Sequence, residues 1–61
     1  MTDTLTNRGR DYLALARTSA WTAEVLLDNG DTFGSLEQIA DALQELTVAR
    51  GLLLATIPLC D

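Results

Sequence analysis

Trp21-Thr22-Ala23-Glu24-Val25-Leu26-Leu27-Asp28-Asn29-Gly30-Asp31-Thr32-Phe33-Gly34 decides the fold, because the stretch carries two incompatible patterns. Trp21, Ala23, Val25 and Leu27 alternate with Thr22, Glu24, Leu26 and Asp28, and Asn29-Gly30 is a strong two-residue β-hairpin signal. That reading gives an N-terminal helix, a short β-hairpin and a C-terminal helix. Its second strand would be only Asp31 to Gly34, however, and would set Asp28 directly opposite Asp31, an unfavourable like-charge pair. The competing reading is helical. Ala23, Glu24, Leu26 and Leu27 are strong helix formers, and Asn29-Gly30 supplies the left-handed residues that close a last turn. We adopt the helical reading, with the chain turning back on itself after Asp28.

Upstream, residues 6–28 contain no proline, and small or apolar residues recur at Leu5, Gly9, Tyr12, Leu13, Ala16, Ala20, Ala23 and Leu27. Steps of three and four keep these on one stripe of a helix. Downstream, Ser35-Leu36-Glu37-Gln38 has the form of a capping box, which starts a second helix at about Leu36 after a loop over 29–35. Leu36, Ile39, Ala40, Leu43, Leu46, Leu53 and Leu54 form its expected packing face. The helix should end at about residue 56, since Pro58 disfavours helical geometry at Ile57. The expected architecture is all-α, a single antiparallel helical hairpin spanning 1–61.

A hairpin of 61 residues and 6.6 kDa is small for an independent domain. Size scaling gives roughly 3,400 Å² of apolar surface buried on folding, about 85 kcal/mol, against about 90 kcal/mol for ordering the chain. With one cysteine and no histidine, neither an internal disulfide nor an ordinary zinc site can make up the difference. Self-association remains, most simply as a two-fold dimer forming a four-helix bundle. A second apolar stripe on each helix supplies the expected contact: Trp21 and Val25 on the first, Val48 and Leu52 on the second.

Nine acidic residues against four arginines give a net charge of −5, which lacks the basic footprint required by nucleic acid or an anionic membrane. Neither is an expected partner. The longest apolar run, Gly51 to Leu59, is well short of the ~20 residues a spanning helix needs. No secretory signal pattern opens the sequence, so a cytoplasmic location is expected. The usual general base near neutral pH is missing with histidine, and Cys60 has no partner base or anion-stabilising loop around it. No enzymatic activity, cofactor or metal is expected. The segment from Asp28 to Gly34 resembles a calcium loop only superficially, as Gly30 and Phe33 stand where an oxygen ligand and a glycine are needed.

Two features suggest binding. Arg8, Arg10 and Tyr12 lie near the start of the first helix, at the same end of the hairpin as Arg50, a set suited to an anionic small molecule such as a nucleotide. Arg50 interrupts an otherwise apolar face, where its stem can pack while the head reaches to water or to Asp11. Glu37, Asp41 and Glu45 recur every four residues, giving an acidic face able to engage a basic groove on another protein. The expected function is therefore a small non-catalytic accessory or regulatory protein that oligomerises and binds another protein. An inhibitor encoded by a mobile element is one form suited to this size. The alternative is an oligomer that holds a phosphorylated ligand between subunits at the arginine-bearing end.

Overall fold

The computed structural model describes residues 4–57. Two helices, α1 (Thr4–Asp28) and α2 (Thr32–Leu54), pack against each other as an antiparallel hairpin, with no strand among the described residues. Helix α1 runs unbroken through Trp21–Asp28, so the β-hairpin alternative is excluded. Gly30 takes φ +84°, and around it the chain makes both hydrogen bonds of a Schellman close. The Asp31 amide donates to the Leu26 carbonyl at 2.8 Å, and the Gly30 amide donates to that of Leu27 at 3.0 Å.

The start of α2 differs from expectation. Asp31, not Ser35, is the N-cap, and its carboxylate accepts from the Gly34 amide at 2.8 Å. The connection therefore shortens from the expected 29–35 to 29–31, and the helix begins four residues earlier than Leu36. An aspartate directly after the left-handed glycine captures the free amides before the chain reaches the serine. Ser35 instead lies buried between the helices.

At the seam three small positions of the expected α1 stripe are the buried ones, and the larger correction lies on α2. Gly9, Ala16 and Ala23 of α1 are buried against Ser35, Ala42 and Ala49 of α2, each set recurring every seven residues. A seven-residue repeat keeps one edge of each helix on its neighbour when the pair supercoils. Such small side chains let the backbones come close. A Cβ on Gly9 would lie 2.8 Å from Leu53 Cδ2, which shows how little space is left. Half-buried flanking positions, Tyr12, Ser19 and Leu26 on α1 and Gln38, Glu45 and Leu52 on α2, complete the contact on one side. Across that flank the Ser19 hydroxyl donates to Glu45 Oε1 at 2.7 Å.

Apart from the half-buried Leu53, the expected packing face of α2 is thus turned outward. Leu36, Ile39, Leu43, Leu46 and Leu54 are exposed, as are Leu13 and Leu27 of the expected α1 stripe. Close approach of two backbones selects for small residues at the line of contact, and the larger leucines are displaced to the side. Among the described residues the buried apolar core consists of alanines alone, and no large side chain is fully buried.

Candidate interaction surface

The displaced side chains gather on one broad side of the hairpin. At 100° per residue, Leu13, Ala20 and Leu27 follow one another along the flank of α1, and Ile39, Leu43 and Leu46 along the adjoining flank of α2. An open groove of about 370 Å³ runs between them, lined by Ala20, Leu27, Ile39 and Leu43 over the buried Ala23 and Ala42, with Glu24 at its rim. Leu43 is 61% exposed. The opposite side mixes polar residues with the exposed Leu15 and Val48. There Tyr12 borders a cleft with Asp41, Gln44, Glu45 and Val48.

The residues expected to join subunits do not share one surface. Trp21 is 64% exposed and sits with Arg17 and Thr18 on the outer edge of α1. Val25, one turn on, is half-buried. Val48 lies on the opposite side, and Leu52 is half-buried beside the seam. The leucine-rich groove was not singled out in the sequence as a contact between copies. Its signal was nonetheless present, since the seven-residue recurrence of small residues fixes which edge faces inward and hence where the leucines must go.

The arginine set is also divided. Arg10 borders a shallow depression with Asp11, Leu13, Ala14 and Arg17 at the edge of the leucine side. Tyr12 instead faces the cleft that holds Asp41 and Glu45, whose carboxylates oppose an anion. Arg8, Arg10 and Arg50 are exposed, and none makes an ion pair among the described residues. Arg50 does not reach Asp11. Of the acidic face, Glu37 and Asp41 are exposed, whereas Glu45 is half-buried and already engaged by Ser19.

Charge is distributed by end rather than by face. Among the described residues, the loop half of the hairpin carries Glu24, Asp28, Asp31, Glu37, Asp41 and Glu45 with no basic residue, while Arg8, Arg10, Arg17 and Arg50 all lie toward the open end with Asp11. The described residues contain no cluster of potential metal ligands and no helix long and apolar enough to cross a membrane. Cys60 and Pro58 lie outside the described residues. No family model, curated protein or solved structure matches the chain.

Proposed function

We propose that this chain is a non-catalytic interaction protein that works as a homo-oligomer, with the leucine side of the hairpin as the contact between copies. One observation carries this reading. Leu13, Leu27, Ile39, Leu43 and Leu46 are 44% to 61% exposed along one side of a hairpin whose buried apolar residues, among those described, are alanines alone. The broad face of a molecule measuring 50 × 24 × 10 Å has room for such a contact. Large contiguous apolar patches of this kind mark interaction sites on soluble proteins.

Covering the leucine side leaves the opposite side, with Asp41 and Val48, open to a second protein. Binding of a different macromolecule there is the regulatory half of the proposal. Holding an anionic small molecule is the weaker reading, because Arg10 and Tyr12 open onto different depressions. Thermal unfolding followed across a hundredfold range of protein concentration tests the oligomer. A folded state stabilised by association melts at higher temperature as concentration rises, and a melting temperature independent of concentration contradicts the proposal.

A further inference from the structure

From the separation of charge along the hairpin we infer that two copies stack leucine side to leucine side in inverted orientation, the loop end of one over the open end of the other. This rests on the proposed association and adds its geometry. Two face-to-face arrangements are compatible with a two-fold axis. An axis parallel to the helices would stack one acidic loop end on the other and leave Glu24 and Asp28, at the edge of the leucine side, without a basic residue at their level. An axis across the helices instead lays the acidic end of each copy on the arginine end of the other. Complementary potentials steer association and suppress the wrong register.

The rows along α1 are self-complementary in this second arrangement. Inversion about Ala20 sets Leu13 against Leu27 of the second copy, and Leu27 against its Leu13, with the small Ala20 at the centre where the two helices come closest. One step outward on the same edge are Arg10, Arg17, Glu24 and Asp28, all exposed. The same inversion brings Arg17 within one residue of the level of the second copy's Glu24, and Arg10 within about one turn of its Asp28. Both signs border the leucine side, since Arg10 and Arg17 flank Leu13 while Glu24 rims the groove beside Leu27.

The register of the hairpin extends the pattern to α2. The Ser19–Glu45 bond places Ala20 level with Gln44 and Glu45. Inversion about that level sets Leu43 against Leu46 of the second copy. An independent feature of α1 agrees. It has no basic residue in its last turn and ends on Asp28, a carboxylate at the negative end of the helix dipole. The inverted copy brings arginine toward this carboxylate.

Cross-linking and charge exchange test the inference together. In a Cys60→Ser background, Ala20→Cys should form an intersubunit disulfide under mild oxidation, because the two Ala20 positions meet only when α1 lies on α1. Arg17→Glu and Glu24→Arg should each weaken association roughly tenfold, as every dimer contains the pair twice. The double variant Arg17→Glu/Glu24→Arg should recover wild-type affinity. An oligomer that fails to cross-link at Ala20, or a double variant no tighter than the singles, overturns the inverted arrangement and leaves the proposed association standing. A monomeric wild-type chain overturns both.

Discussion

Replacing Ala49 with leucine should open the hairpin, although leucine is the more hydrophobic residue and a good helix former. Ala49 is 1% exposed, the most buried side chain of the seam. It shares the buried edge of α2 with Ala42 and Ser35, and the buried residues of α1 on the same half of the seam are Ala16 and Gly9. Three added carbon atoms can be housed only if the helices move apart, and overpacking of this kind costs about 1 to 3 kcal/mol. Separation also strains the Ser19–Glu45 bond, worth about another 1 kcal/mol. A domain this small has about 5 kcal/mol in hand, so the loss takes much of its stability. Each kcal/mol lowers the melting temperature of a 60-residue domain by roughly 4 to 8 °C. Circular dichroism melts at matched concentration should therefore place Ala49→Leu roughly 10 °C or more below wild type. An unchanged or raised melting temperature would refute a seam built on close approach, and would mean that the helices are held apart by larger side chains.

Other consequences are local. Gly30→Ala should cost about 1 kcal/mol in chemical denaturation, because φ +84° is a left-handed conformation that alanine adopts only with strain. Equal stability would show that the Schellman close is dispensable. Gly51→Ala should raise stability by about 0.5 to 1 kcal/mol, since it lies inside α2 with nothing within 4 Å of an added Cβ. A loss of stability there would place the outer edge of α2 in a contact absent from the hairpin.

Local chemistry made the hairpin legible in the sequence. Asn29-Gly30 closes α1 as read, and the helix formers of Trp21–Asp28 prevail over the alternating pattern, which lacks a second strand long enough to pair. The start of α2 was obscured because Asp31 and Ser35 both have capping side chains, and proximity to the left-handed glycine decided between them. The inner face of α2 was misread for a different reason. Ranking positions by hydrophobic size assigns Leu36, Ile39 and Leu43 to the seam, but the contact line of two closely approaching helices is chosen by the smallness of Ser35, Ala42 and Ala49. The same ranking left only Trp21, Val25, Val48 and Leu52 to be read as a subunit contact, because the leucines were assigned to the inside of the hairpin. Function was less legible, because arginines and carboxylates in a helical sequence reveal which end they occupy more readily than what they touch.

The central claim is that the leucine side is covered by a second copy. Sedimentation equilibrium at micromolar concentration tests it most directly, on wild type and on Leu43→Glu. The 61% exposure of Leu43 in the lone hairpin makes glutamate tolerable there, whereas within an interface an unpaired carboxylate costs several kcal/mol. Wild type should sediment with at least twice the chain mass of 6.6 kDa, and Leu43→Glu should fall toward the single-chain mass. A wild-type mass equal to one chain, or an oligomer that the glutamate leaves intact, would contradict the account.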